Sequence, residues 1–192
     1  MPAPNPQAME FLQTRRSRPA KTLGLPVPTR AELIPLLTAA VRVPDHGKLE
    51  PWRFIVLERA ALERLSSAVA SCDGAAQLEE KAIAKARRQY DEADLVVAVI
   101  EVQQASGKIP GIEQTYSAGA VCLGLLNAAL VSGWGANWLT GWPVHDRSFV
   151  SDTLGLDANE RVAGLIHLGT ETDAPSERPR PDIEALITWL DK

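Results

Sequence analysis

The 192-residue chain predicts an α+β sandwich around a sheet of four to five strands, and four stretches carry that expectation. Asp94 to Ile100 is nearly all apolar, the composition of a central strand covered on both faces. Arg59 to Ala70 and about Ala75 to Glu92 are amphipathic at helical spacing, with Glu80, Lys85 and Arg88 outward. Ile112 to Val131 is a helix of little side-chain bulk, carrying Ala118, Gly119, Ala120, Gly124, Ala128 and Ala129, and such a helix packs closely on its neighbours. No repeat or internal boundary interrupts the pattern, so residues 1–192 read as one domain with a flexible leader (1–6) and an extended C-terminal arm (171–192).

The remaining elements follow from local signals. Gln7 to Thr14 reads as a short helix that delivers Arg15 to a turn, and Pro19 bars its continuation. Thr29-Arg30-Ala31-Glu32 is a capping box, followed by Leu33, Leu36, Leu37, Ala40 and Val41 at helical spacing, so a helix runs from about Thr29 to Arg42. Pro35 lies inside it, which predicts a bent first turn or a later start. Trp52 to Leu57 is a buried strand by its aromatic and β-branched content. Gly133-Trp134-Gly135 ends the small-residue helix, Ala136 to Leu139 is a strand, and Asp146 to Leu154 is a helix after the Gly141-Trp142-Pro143 turn. Val162 to Leu168 is the last strong strand, with His167 as a sheet residue. Ile183 to Leu190 is apolar but of ambiguous type; its Ile187, Trp189 and Leu190 give the arm a reason to dock on a second subunit.

Composition excludes several classes. Twenty basic against twenty-four acidic side chains give a net charge of −4, unlike the basic excess of a nucleic-acid-binding domain. Cys72 and Cys122 stand fifty positions apart without a metal-ligand spacing, which leaves no zinc site and a reducing, cytoplasmic setting as the expectation. No apolar run reaches the roughly 18 residues of a membrane span, and the Pro-rich start has no signal-peptide block. The Gly133/Gly135 pair is no dinucleotide fingerprint, because a helix precedes it and Trp138 fills the third glycine position. The serines lack a nucleophile elbow, and His145 reads as a cap or surface group.

Two basic clusters remain. Arg15-Arg16-Ser17 offers two guanidinium forks and a hydroxyl on a turn, the equipment for holding a phosphate. Arg42-Val43-Pro44-Asp45-His46, running on to Pro51-Trp52, ends a helix and presents an imidazole on a stiff loop. Three tryptophans within nine residues, Trp134, Trp138 and Trp142, stand beside glycines where a flat ligand fits.

These clusters, with the Gly133 to Gly141 segment and the Leu168-Gly169-Thr170…Arg178-Pro179-Arg180 tail, resemble in order the nitroreductase family of FMN-dependent oxidoreductases. The Pro-Asp-His form of the second cluster looks like that family's short NAD(P)H nitroreductase subgroup. The resemblance implies a three-layer sandwich with a mainly antiparallel sheet, in a homodimer that exchanges its C-terminal arms. It further implies FMN sites at the subunit interface: Arg15, Arg16 and Ser17 on the phosphate and ribityl chain, Arg178 and Arg180 returning to the phosphate, and Trp138, Leu139 and Thr140 along the isoalloxazine. Arg42 and His46 would reach the same flavin from the partner subunit, and Ala128, Ala129, Leu130, Val131, Ser132 and Gly133 would meet the nicotinamide nucleotide.

On that resemblance the expected activity is ping-pong hydride transfer from NADH or NADPH, through the flavin, to nitroaromatic, quinone-like or related electron-poor acceptors. No side-chain catalyst is implied, since the flavin carries the redox chemistry. The sequence departs from the family at Pro19, where a lysine often stands, and at Lys48 and Glu50, where many relatives have asparagine and glutamine. Pro19 and Lys48 leave one alternative, a protein that sequesters FMN without turnover, and the basic clusters leave another, a cofactor-free assembly protein that uses them to hold a phosphorylated partner.

Overall fold

The computed structural model describes residues 3–191. Its sheet comprises β1 (Leu23–Gly24), β2 (Trp52–Glu58), β3 (Leu95–Val102), β4 (Gly135–Leu139) and β5 (Glu160–Glu171). Every pairing is antiparallel: β2 with β3, β3 with β5, β5 with β4 and, at its far end, β5 with β1. Residues Leu165 to His167 of β5 pair with β3 and β4 at once, so those two strands flank opposite edges of β5. β5 is therefore the strand on which the sheet converges.

Alternation along the strands separates two cores. Val96, Ala98 and Ile100 of β3 join a cluster with α3 (Arg59–Val69), α4 (Glu80–Asp91) and α6 (Arg147–Leu154) on one face. Leu95, Val97 and Val99 join a second cluster with α2 (Arg30–Ala40) and α5 (Gly111–Val131) on the other. The expected three layers are thus helix, sheet and helix. The first helix, α1 (Pro6–Thr14), buries none of its residues and serves to carry the chain into Arg15.

Several elements differ from the sequence expectation. The helix around Pro35 does not start late: Arg30 follows the Thr29 cap, and the Thr29/Glu32 capping box is complete. Pro35 and Ala31, whose carbonyl a non-proline amide would meet, both lie on the exposed side of the helix. Residues 75–79 are not the first turn of α4; Asp73–Gln77 is a separate 3-10 turn, held by Gly74 N–H donating to Asp146 Oδ2 at 2.6 Å. β5 extends beyond Val162–Leu168 at both ends, and Ile183 to Leu190 contains only a single 3-10 turn, Glu184–Leu186. By length and mean hydropathy (1.3) α5 is apolar enough to cross a membrane, which scanning for unbroken apolar runs missed. Its Val121, Cys122 and Leu125 instead lie fully buried in the second core.

Candidate functional site

Residues 15–18 form a turn clamped to the outer edge of β4. Arg18 N–H donates to the Ala136 carbonyl at 2.8 Å, and the Asn137 side-chain amide donates to the Arg18 carbonyl at 2.6 Å. The C-terminal tail returns to this turn: Arg16 Nη1 donates to the Ser176 carbonyl at 2.6 Å and meets Glu177 Oε1 at 3.2 Å. The result is a groove of about 690 Å³ lined by Arg15, Arg16, Arg178 and Arg180, together with Ser17 and Asn137. The family resemblance put the two arginine pairs, about 160 positions apart, at one end of a ligand, and in the fold all four line one groove.

The groove is electrostatically unfinished. Glu177 is its one acidic lining residue, against four guanidinium groups. Arg15 Nε is buried without a partner, while its Nη2 donates to Ser17 Oγ at 3.0 Å. Burial first, and then the charges of Arg180, Arg16 and Arg18, push the Arg15 pKa down. An anion in the groove would relieve that repulsion.

β4 supplies the next part of the site through its backbone. N–H and C=O groups of alternate strand residues face the same edge, and Ala136 faces the arginine turn. Trp138, two residues on, therefore presents its amide on the edge that β5 does not cover. The side chains diverge by the same alternation. Trp138 turns to a separate cavity with Glu101, Gly119 and Arg161, whereas Leu139 and Thr140 line a 560 Å³ cavity against Lys85, Gln89 and Trp142. Gln89 Nε2 and Trp142 Nε1 are both buried and without partners. Lys85 and Gln89 were not singled out from sequence, because on an amphipathic helix they look like any solvated face; only the unpaired amide distinguishes Gln89.

The second basic cluster lies elsewhere on the protomer. Arg42 is exposed just past α2, and neither it nor His46 lines the arginine groove. Asp45 shapes its own loop, accepting from the Leu49 and Glu50 amides at 3.1 and 2.9 Å. His46 Nδ1 lies 2.6 Å from Glu113 Oε2, and Ser117 Oγ donates to the Pro44 carbonyl, so the loop is tied to the first half of α5.

At the other end of α5, Ser132 caps the helix and Gly133 turns left-handed with φ of 85°. Gly133 N–H reaches the Leu130 carbonyl and Trp134 N–H the Ala129 carbonyl, the paired bonds of a Schellman stop. Of the segment matched to the nicotinamide nucleotide, Ala128 and Ala129 are buried, so their side chains are closed to any ligand. Leu130 and Gly133 instead line a 310 Å³ cavity on the other side of Arg15 and Arg16, and Val131 and Ser132 are exposed.

Elsewhere, two ion pairs finish the start of β5. Glu101 is buried and accepts from Arg161 Nε at 2.5 Å and Thr115 Oγ1 at 2.8 Å; burial opposes its charge, but hydrogen bonds from Arg161, Gln103 and Thr115 hold its pKa below the usual carboxylate value. Arg53 closes a two-pronged bond on Glu160 at 2.6 and 2.8 Å. Among the described residues no cluster of histidine, cysteine and carboxylate groups is placed to hold a metal.

Comparison with known proteins gives a consistent picture. A family model described as the nitroreductase family matches residues 13–170. The Escherichia coli K12 protein named "Putative NAD(P)H nitroreductase YdjA" is 33% identical over 184 residues, covering 95% of this chain and 99% of its own. A Haemophilus influenzae protein named "Putative NAD(P)H nitroreductase" is 32% identical over 185 residues, with the same two coverages of 95% and 99%. Among solved structures, a nitroreductase-like family protein from Bacillus cereus matches with a TM-score of 0.80 and 21% identity over 100% of both chains. A Desulfovibrio desulfuricans structure, described as a "putative nitroreductase in complex with fmn", matches with a TM-score of 0.74 and 19% identity over 99% of this chain and 100% of its own.

Proposed function

Since this chain belongs to the nitroreductase family, we propose that its arginine groove holds the phosphate of FMN and that it works as a homodimeric oxidoreductase, taking hydride from NADH or NADPH and reducing electron-poor acceptors such as nitroaromatics and quinones. The observation that carries this reading is the convergence of Arg15, Arg16, Arg178 and Arg180 on one groove. The donor set fits the cofactor. A phosphate monoester brings roughly −1.5 to −2 charge, which suits four guanidinium groups. The flavin ring is rich in acceptors, which suits the open Trp138 amide, the unpaired Gln89 amide and the Lys85 ammonium.

Each protein group then has a task. Arg15, Arg16, Arg178 and Arg180 neutralise and orient the phosphate, and Ser17 offers a hydroxyl beside it. The β4 edge and the Leu139–Thr140 segment position the ring, while Lys85 supplies positive charge that favours an anionic reduced ring. This is the charge that Pro19 does not provide. The bound cofactor supplies the redox chemistry in alternating turns with nicotinamide and acceptor, so the chain needs no acid–base pair of its own. Exposed Val131, Ser132 and Gly133 are the part of the matched segment left to meet the nicotinamide nucleotide.

Dimerisation draws support from surface chemistry. Ile112, Tyr116, Leu123 and Val131 are exposed along α5 at helical spacing, an apolar seam that a second copy would cover. Arg42 and His46 have no place in their own protomer's groove and would complete the partner's site. The arm residues Ile183, Leu186, Trp189 and Leu190, exposed by 64 to 87%, would exchange onto the partner. Two free cysteines are consistent with a reducing, cytoplasmic setting.

The test is direct. Purified protein should carry a flavin absorption spectrum that bleaches on anaerobic addition of NADH or NADPH. Arg16→Ala should weaken FMN binding by roughly ten- to a hundredfold, the worth of one charge-assisted bond, and leave riboflavin binding unchanged. Equal loss of both ligands, or of neither, would remove the phosphate assignment.

A further inference from the structure

We propose that Glu177 is a resident counter-ion of the arginine groove, a carboxylate that competes with a phosphate for the same donors and must give way to it, so that it sets cofactor affinity. One oxygen of this side chain gathers donors from three residues: the Arg178 backbone amide at 2.7 Å, Arg16 Nη1 at 3.2 Å and Arg180 Nη2 at 3.4 Å. That is the manner in which a protein holds a phosphate oxygen, here satisfied from within the chain.

Position and exposure make the contact reversible. The Glu177 side chain is 71% exposed and sits on the same tail as Arg178 and Arg180, while Arg16 comes from the turn after α1. The carboxylate therefore ties the tail to the N-terminal turn, together with the Arg16 bond to the Ser176 carbonyl. Exposed ion pairs of this kind are weak and screened by salt. A single carboxylate charge also neutralises less of the cluster than a phosphate monoester does. Arg15, the fourth guanidinium lining the groove, is not among the donors that Glu177 engages. The same arrangement keeps the tail seated and the arginines partly neutralised before loading, and it handicaps weakly charged anions that compete for the groove.

The inference rests on the assignment of the groove to the FMN phosphate, and the experiment separates the two. Full-length protein stripped of flavin is titrated with FMN and with riboflavin, reading the quenching of flavin fluorescence, for the wild type, Glu177→Gln and Arg16→Ala. Glu177→Gln should bind FMN roughly three- to tenfold more tightly, as expected from removing one or two exposed ion pairs, with riboflavin affinity unchanged. If Glu177→Gln leaves FMN affinity unchanged or weakens it while Arg16→Ala loses FMN selectively, the carboxylate is a strut of the site and the displacement proposal is overturned. If Arg16→Ala does not discriminate FMN from riboflavin, the phosphate reading fails and the role of Glu177 fails with it.

Discussion

At the scale of single residues, His167 gives the sharpest expectation. It is 2% exposed in the middle of β5, its Nε2 has no partner, and burial pushes its pKa down to about 4. The unfolded chain binds a proton on this ring near pH 6.5 while the folded protein refuses it until about 4. The stability it contributes is therefore fully present above about 6.5 and is lost as the pH falls from there toward the folded value. Urea unfolding should show a decline of about 2–3 kcal/mol over that window. His167→Leu should flatten the decline, and an unchanged slope would place the titration elsewhere. Its strand setting was readable from the apolar residues around it. Its lack of a partner was not, because that depends on what the opposing helices present.

At the scale of elements, α2 and α5 meet at Gly124. A Cβ there would lie 2.8 Å from the Ala40 carbonyl oxygen and 3.2 Å from the Ala40 Cα, and backbone cannot swing aside as a side chain can. Gly124→Ala should therefore lower the thermal midpoint, at a cost of about 1–2 kcal/mol, although alanine is the better helix former. A rise in the midpoint would show that the two helices can slide apart. The low bulk of this helix predicted close packing from sequence alone. Caps were equally legible: Thr29 with Glu32, Asp146 accepting from the Phe149 amide, and the Gly133 stop all act within five residues. The start of α4 was not, because the competing turn at Asp73–Gln77 is fixed by Asp146, 72 positions away. A two-residue strand such as β1 leaves no periodic signal at all.

For the whole molecule, the decisive question is whether each site draws on both subunits. Arg16→Ala and His46→Ala, each impaired alone, should regain about a quarter of wild-type activity when mixed under subunit exchange, since half the dimers are hybrids and each hybrid holds one intact site. Absence of recovery would confine the site to one protomer. The meeting of Arg15 and Arg16 with the Arg178–Arg180 tail could be expected only from the family resemblance, because nothing in local spacing links residues 160 positions apart. Lys85 and Gln89 escaped even that, since their part in the site arises from where α4 settles beside β4.

The central place of β5 also governs how the chain can be made. β3, β4 and β1 all pair with a strand that begins only at Glu160. As the polypeptide leaves the ribosome, the antiparallel β2–β3 pair, joined through α3 and α4, emerges early and must wait with one apolar edge of β3 open, a template for unwanted pairing. Closure of the sheet must await the synthesis of β5. A nascent chain arrested before Glu160 would be expected to depend on chaperones, and the arginine tail completes its groove only after the strand it follows has been laid in.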